Sequence, residues 1–126
     1  MSEHNGGCHC GKVKFTAKDP IISVACNCQR CRKLSGSLHL GVIFSEENFS
    51  VDGELSSYEY VGGSGNKVNS KFCGICGSKI YSKAELFEGL VSVKLGVLDD
   101  ALDFPPQMEV FTNYKLNWLK DNGCIK

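Results

Sequence analysis

The sequence predicts a small, mainly β domain that is stabilised by zinc and built from several short, coiled antiparallel sheets with little helix. Three observations lead to this prediction. Short apolar or alternating segments recur along the chain and are separated by turn residues. Segments with helical periodicity are scarce. The 126 residues include 8 cysteines, most of them closely spaced, which is typical of a small domain whose core is supplemented by metal.

Composition does not divide the chain, and we expect a single zinc-binding domain over residues 1–126. The 14 basic and 14 acidic residues balance, which argues against broad binding to nucleic acid or to an anionic membrane. No N-terminal targeting segment and no apolar stretch of membrane-spanning length is recognisable. We therefore expect a cytoplasmic protein with neither nucleic-acid nor membrane partners, whose oligomeric state the sequence does not give.

Seven segments are predicted as strands, namely residues 13–17, 21–26, 38–44, 55–61, 67–72, 79–82 and 89–97. In the first, Val13, Phe15 and Ala17 alternate with polar residues, which indicates a half-buried strand. The Gly-rich residues 62–66 between two segments indicate a β-hairpin. Helix is predicted only as short pieces at residues 29–34 and 114–120.

The cysteines can be interpreted as disulfide-bonded or as metal ligands. An even number permits a disulfide framework, but a cytosolic compartment keeps thiols reduced. C-x-C and C-x-x-C spacings let neighbouring thiolates share one zinc ion at about 2.3 Å. We therefore favour metal ligation over disulfides.

Two cysteine pairs are predicted to close one structural zinc site. The pairs are Cys8 with Cys10 and Cys73 with Cys76. Gly11 and Gly77 directly follow these pairs, and glycine permits the positive φ that lets a tight turn aim its N–H groups at the sulfurs. Four thiolates with no open position make a structural site.

Cys26, Cys28 and Cys31 form a different group, because no glycine follows them and the chain continues as if into a helical turn. Three protein ligands with a fourth position free are typical of catalytic zinc. The alternative is a fourth protein ligand that closes the site. The candidates for that ligand are Cys124, His39, His9 and His4.

Arg30, Arg32 and Lys33 surround the three-cysteine group. Thiolate-rich zinc sites carry negative charge, so these cations are candidates for counter-charge. They are also candidates for contact with an anionic substrate.

Four ordered motifs resemble the glutathione-dependent formaldehyde-activating enzyme and centromere protein V family. They are residues 7–15 (GCHCGKVKF), 26–37 (CNCQRCRKLSGS), 72–78 (FCGICGS) and 96–100 (GVLDD). The resemblance runs over nearly the whole chain, from Gly7 to Trp118. Many members carry His at the position of Asn27, and His is also frequent at the position of Glu109.

The resemblance implies a β fold of small coiled sheets and two zinc ions per chain. It assigns Cys8, Cys10, Cys73 and Cys76 to a structural zinc, and Cys26, Cys28 and Cys31 to a second zinc with an exchangeable position. It also implies carbon–sulfur lyase activity, in which formaldehyde and glutathione join to form S-hydroxymethylglutathione, or the reverse.

The resulting hypothesis is a carbon–sulfur lyase that binds a small thiol such as glutathione at the three-cysteine zinc and adds it to formaldehyde or a related aldehyde. The alternative is a non-catalytic zinc-stapled binding module, or a carrier of thiols or metal. Asn27 is a candidate hydrogen-bond donor to an alkoxide or a turn residue. Trp118 and Tyr114 are candidates for a pocket wall or for core packing, and Asp99 and Asp100 for acid–base groups or a solvated turn.

Overall fold

The computed structural model describes residues 2–62 and 65–119, and this part of the chain is mainly β, as predicted. The strands are β1 (Glu3–Gly7), β2 (Lys14–Lys18), β3 (Ile22–Cys26), β4 (His39–Ser45), β5 (Phe49–Asp52), β6 (Leu55–Val61), β7 (Lys67–Cys73), β8 (Lys79–Ala84), β9 (Leu90–Lys94) and β10 (Met108–Val110). One α-helix, α1 (Gln29–Ser35), follows β3. Short 3₁₀ turns lie at Glu46–Asn48, Glu85–Phe87, Leu95–Val97, Ala101–Asp103 and Thr112–Tyr114.

The strands form two sheets. A three-stranded sheet has the order β1-β2-β5, and a seven-stranded sheet has the order β10-β3-β4-β9-β8-β7-β6. All neighbouring strands are antiparallel except β10, which pairs in parallel with β3. The predicted antiparallel β class is therefore confirmed, with one parallel pair that the sequence did not indicate.

The predicted hairpin between β6 and β7 is present. The two strands pair continuously from Val61 opposite Lys67 to Leu55 opposite Cys73. At the turn, the Gly62 N–H donates to the Asn66 carbonyl at 2.9 Å. Residues 63 and 64 lie outside the described part of the chain. The hairpin places Cys73 at the end of a long strand pair.

The core lies where the inward faces of the two sheets meet. Phe15 and Ala17 of β2 are buried, as their alternation predicted, and Val91 and Val93 of β9 are fully buried beside Phe44 of β4. Cys8 and Cys73 belong to the same buried cluster. Two of the predicted metal ligands are thus also core residues.

Three strands were not predicted, and each depends on its partner for its structure. The β1 sequence, Glu-His-Asn-Gly-Gly, has no apolar alternation, and it is strand because its backbone pairs with β2 along its whole length. β5 completes the same sheet, and β10 pairs with β3 far back in the sequence. Local propensity did not indicate these strands because long-range pairing decides them.

One predicted strand boundary and one predicted helix are wrong. The strand predicted over residues 89–97 ends at Lys94, after which Leu95–Val97 turns. The predicted helix at residues 114–120 is absent from its described part, where a 3₁₀ turn ends at Tyr114 and Lys115 is extended. Tyr114 and Trp118 are 55% and 73% exposed, so neither packs in the core.

Gly6 of β1 is closely covered by the rest of the protein. A Cβ atom at this position would lie 2.1 Å from the Val97 carbonyl oxygen and 2.4 Å from Cζ of Phe15. We expect Gly6→Ala to lower the free energy of unfolding by about 1–3 kcal/mol, because the core must shift to accept the methyl group. Gly96→Ala is the matched control, since nothing lies within 4 Å of its Cβ position. Urea unfolding measures both, and equal midpoints for the two variants would contradict the prediction.

Candidate metal centres

Cys8, Cys10, Cys73 and Cys76, here called the four-cysteine group, come from two separate turns. The first turn joins β1 to β2, and the second joins β7 to β8. All four sulfurs lie within 4.8 Å of one another, with Cys8 and Cys10 at 3.5 Å and Cys10 and Cys73 at 3.7 Å. Tetrahedral zinc with sulfur bonds of 2.3 Å requires separations of about 3.8 Å. The geometry of the described sulfurs therefore fits such an ion.

Both turns have the backbone form that the sequence predicted. Gly11 and Gly77 adopt φ of 84° and 78°, and each donates its N–H to the carbonyl of the first cysteine of its turn, at 3.2 and 2.8 Å. The Val13 N–H lies 3.3 Å from the sulfur of Cys8, within the range of a hydrogen bond. Donors directed at sulfur stabilise the thiolate form that a metal requires.

Ser78 supplies a further donor to the four-cysteine group. Its hydroxyl lies 3.3 Å from the sulfur of Cys76 and accepts the His9 N–H at 3.1 Å. Hydrogen bonds from the side chain and backbone of Ser78 lower the pKa of Cys76 to about 5. A hydroxyl that receives one N–H and donates its own proton to sulfur favours a thiolate at this position.

Cys26, Cys28 and Cys31, the three-cysteine group, lie where β3 passes into α1. Their sulfurs also lie within 4.8 Å of one another. Cys28 is the N-cap of α1, and its sulfur accepts the Cys31 N–H at 3.4 Å. The helix ends at Gly36 with φ of 95°. The predicted helical turn after this group is therefore present.

The three thiols cannot all ionise unaided. A hydrogen bond from Cys31 lowers the pKa of Cys26 to about 6, and the same bond, together with burial, raises the pKa of Cys31. Each further thiolate would repel the first in a partly buried place. A cation bound among the sulfurs removes this repulsion, so the donor set suits a soft divalent metal.

No His, Asp or Glu in the described part of the chain joins the three sulfurs as a fourth ligand. Of the four candidates, His4 contacts Asp100 at 2.7 Å and His9 lies in the turn of the four-cysteine group. His39 lies opposite Cys26 in the register of β3 and β4, but both of its ring nitrogens have other partners. Cys124 lies outside the described residues.

Lys94, which the sequence analysis did not identify, is the partner of His39. Its Nζ lies 2.7 Å from His39 Nδ1 and 3.3 Å from the Ser35 hydroxyl. Burial lowers the pKa of His39 to about 3, with the charge of Lys94 contributing, so the imidazole is neutral and its Nδ1 accepts from the ammonium. Burial also lowers the pKa of Lys94 to about 8, against the opposing influence of the Cys31 and Cys26 thiolates.

A cavity of about 360 Å³ opens beside the three-cysteine group. Its lining includes all three cysteines, Arg30 and Lys94, and its remaining walls are mostly apolar. Tyr60 also lines it, and burial raises the pKa of this phenol to about 12. The cavity therefore presents two cations to a ligand that reaches the sulfurs.

Of the residues predicted to contact substrate, only some line the cavity beside the three-cysteine group. Arg30 is exposed and lines the cavity, whereas Arg32 and Lys33 lie on α1 outside the cavity lining. Asp99 lines a different cavity, beside β1 and β2, and Asp100 contacts His4. Tyr114 and Trp118 are absent from the lining of the cavity beside the three-cysteine group.

Asn27 points away from the cavity beside the cysteines. Its side chain is buried and its amide donates to Glu109 Oε1 at 3.2 Å and to the Val110 carbonyl at 3.1 Å. Glu109 is 1% exposed and forms an ion pair with Lys115 at 2.7 Å. The Asn27 amide is therefore engaged in tying the three-cysteine group to β10, and it is not free to meet an alkoxide.

The fold and these two groups define a small β protein with two thiol-rich centres. The family model of the glutathione-dependent formaldehyde-activating enzyme matches residues 3–114, and the chain belongs to that family. A crystal structure of a Rhodobacter sphaeroides protein has the same fold, with a TM-score of 0.61 and 20% identity over 75% of this chain and 87% of that one. A comparison with curated proteins finds no match. None of the helices in the described part of the chain could span a membrane.

The two cysteine groups should respond differently to loss of one ligand. We expect Cys73→Ser to abolish cooperative folding, because Cys73 is both a core residue and a candidate ligand of the site at which the two turns meet. Cys28→Ser should lose one metal per chain and stay folded, since serine preserves the N-cap of α1. Native mass spectrometry counts the metal and circular dichroism follows folding. Collapse of both variants would contradict separate roles.

The buried Asn27–Glu109 contact should contribute to stability. We expect Asn27→Ala to lower the free energy of unfolding by about 1–3 kcal/mol, because it leaves a buried carboxylate with one donor fewer. Asn5→Ala is the control, since Asn5 makes an exposed hydrogen bond to Thr16. Thermal unfolding of the metal-loaded protein measures both. A smaller loss for Asn27→Ala than for Asn5→Ala would show that the contact carries no stability.

Proposed function

We propose that this chain is a single-domain, cytoplasmic carbon–sulfur lyase that joins a small thiol, such as glutathione, to formaldehyde or a related aldehyde. The observation that carries the proposal is the three-cysteine group, whose sulfurs are close enough for one metal ion and open onto a cavity. Membership of the formaldehyde-activating family supports the reaction class.

In this proposal the four-cysteine group holds a structural zinc ion. Two of its sulfur separations, 3.5 and 3.7 Å, are close to tetrahedral spacing, and two of its cysteines lie in the core. Cysteines that ligate zinc must stay reduced, which suits the proposed cytoplasmic location. The ion would fix the turn between β1 and β2 against the turn between β7 and β8 and would do no chemistry.

Cys26, Cys28 and Cys31 would hold the second zinc ion. When bound there, zinc supplies an electrophilic centre that lowers the pKa of a coordinated thiol and makes thiolate available at neutral pH. The cavity would hold the aldehyde close to that sulfur, and proximity lowers the barrier to addition. In the reaction a bond forms between the thiol sulfur and the carbonyl carbon. The carbonyl oxygen takes the proton that the thiol has lost, so no oxidant or reductant is needed.

Lys94 would act as the fixed cation of the cavity. His39 and Ser35 hold its ammonium, and its charge favours the thiolate of Cys26. Such a cation stabilises negative charge that develops on an oxygen held in the same cavity. Arg30, at the cavity lining, would meet a carboxylate of the thiol, whereas Arg32 and Lys33 would serve as counter-charge on α1.

The rate at which glutathione and formaldehyde exchange with S-hydroxymethylglutathione tests the proposal. We expect the metal-loaded protein to raise this rate, followed by NMR exchange spectroscopy, and Cys28→Ser to return it to the value in buffer. Arg30→Ala should raise the KM for glutathione severalfold, with Lys33→Ala as the matched control outside the cavity.

Calorimetric titration with glutathione separates the outcomes of this experiment. If the wild type binds glutathione but does not speed the exchange, the protein is a thiol carrier and the lyase proposal is wrong. Equal binding of glutathione to the wild type and to Cys28→Ser would show that the thiol does not bind at the three-cysteine group.

A further inference from the structure

The cavity beside the three-cysteine group continues into a second one. The second cavity has a volume of about 470 Å³ and lies along the same face of the seven-stranded sheet. The two share eight lining residues, five of which are apolar. These five, which define the apolar channel, are Ile43, Ala84, Phe87, Val110 and Phe111. The volumes fall in the range of about 300–1,000 Å³ that small ligands occupy.

Charge is confined to one end of this channel. Arg30 and Lys94 line only the cavity beside the cysteines, and no Lys or Arg lines the second. Among the described lining residues of both cavities none is Asp or Glu. His39 lines both. A ligand that fills both cavities thus meets cations and sulfur at one end and mostly apolar walls, interrupted by His39, Ser82 and Ser92, along the rest.

The apolar walls reach the protein surface. Phe87 is 58% exposed and Phe111 is 49% exposed, and both line the two cavities. Phe111 also adopts φ of 53°, a left-handed conformation that is unfavourable for an aromatic residue. Ile21, which lines the second cavity, is 57% exposed. Covering large apolar side chains that are exposed to water lowers the free energy of the system. These side chains therefore favour the binding of an apolar ligand beside the three-cysteine group.

Neither formaldehyde nor glutathione would use this channel. Formaldehyde has no carbon chain, and the two carboxylates and the ammonium group of glutathione favour charged partners, of which Arg30 and Lys94 are the only ones among the described lining residues. An aldehyde with an aliphatic tail matches the arrangement, since its carbonyl can lie beside the cysteines while its tail lies against apolar walls.

We infer that the three-cysteine group acts on an aliphatic aldehyde whose tail occupies the apolar channel, with the charged thiol entering from the side of Arg30. This inference rests on the proposed function and names its electrophile. The addition is the same as for formaldehyde: sulfur bonds to the carbonyl carbon, and the carbonyl oxygen takes the proton of the thiol. The tail takes no part in the bond changes and contributes binding.

Chain-length dependence of binding tests the inference on the full, metal-loaded protein. Butanal, hexanal and octanal are titrated by calorimetry without glutathione, and the corresponding 1-alkanols serve as probes that do not react with amines. We expect the Kd to fall about fourfold for each added methylene, the factor that corresponds to about 0.8 kcal/mol per buried CH₂. An affinity that does not change with chain length would overturn the inference.

Substitutions in the apolar channel test whether the aliphatic tail of the aldehyde binds there. Ala84→Phe should fill the channel and abolish the chain-length dependence, because Ala84 lines both cavities in extended backbone that accepts phenylalanine. Phe87→Ser changes an exposed residue of the channel wall and should weaken octanal binding several-fold. It keeps the inference testable if Ala84→Phe fails to fold. Leu102→Ser is the matched control, since Leu102 is fully exposed and lines neither cavity. Unchanged dependence in both channel variants would overturn the inference.

Two further results distinguish this inference from the proposed function. Faster exchange of formaldehyde and glutathione, together with no binding of any alkanal, would overturn the channel and leave the lyase. Chain-length-dependent binding with no faster exchange of any aldehyde would leave the channel as a binding site only and overturn both the lyase and the inference that the three-cysteine group acts on the aldehyde. Self-association that Phe87→Ser abolishes, with no alkanal binding, would assign the apolar walls to a second copy of this chain and overturn the inference.

Discussion

Four sulfur atoms connect two sheets that share no strand in the described part of the chain. Cys8 and Cys10 follow an edge strand of the three-stranded sheet, while Cys73 and Cys76 lie at a turn of the seven-stranded sheet. Their close approach brings four groups together that repel one another once ionised, and a cation bound among them would remove this repulsion. Because Cys8 and Cys73 are also buried among apolar residues, a metal bound at this group would act on the same residues as core packing does. A domain of this size gains from such a staple because its apolar core is small.

The three-cysteine group lies at one end of a face of the seven-stranded sheet, so its position depends on how that sheet is built. Side chains alternate between faces along each strand, so the register of β3, β4 and β9 places Cys26, His39 and Lys94 on the same side. The opposite side of β9 carries Val91 and Val93 into the core. One sheet thus separates an apolar core from a cavity that is lined by sulfur, the partly buried Lys94 and mostly apolar walls. This separation lets the site remain open without weakening the packing beneath it.

The sequence predicted those parts that short-range chemistry decides. Cysteine spacing and the glycines at positions 11 and 77 were enough to divide seven cysteines into the two groups that the structure brings together. Alternation identified β2, and the Gly-rich turn identified the hairpin of β6 and β7. Lys94 could not be recognised, because its contact with His39 joins strands whose pairing no local pattern specifies. The role of Asn27 was hidden in the same way, since its partner Glu109 lies 82 residues away.

The contact between Asn27 and Glu109 has a consequence for how sequences of this fold can change. Asn27 lies between two cysteines of one group, and Glu109 lies on β10, so a substitution at either position alters what the other must offer. An acidic residue at position 27 would face a buried carboxylate with only Lys115 to offset two negative charges. The two positions are therefore constrained jointly. Transplanting the cysteine loop into a related protein, or designing a new one, requires that β10 be exchanged together with it.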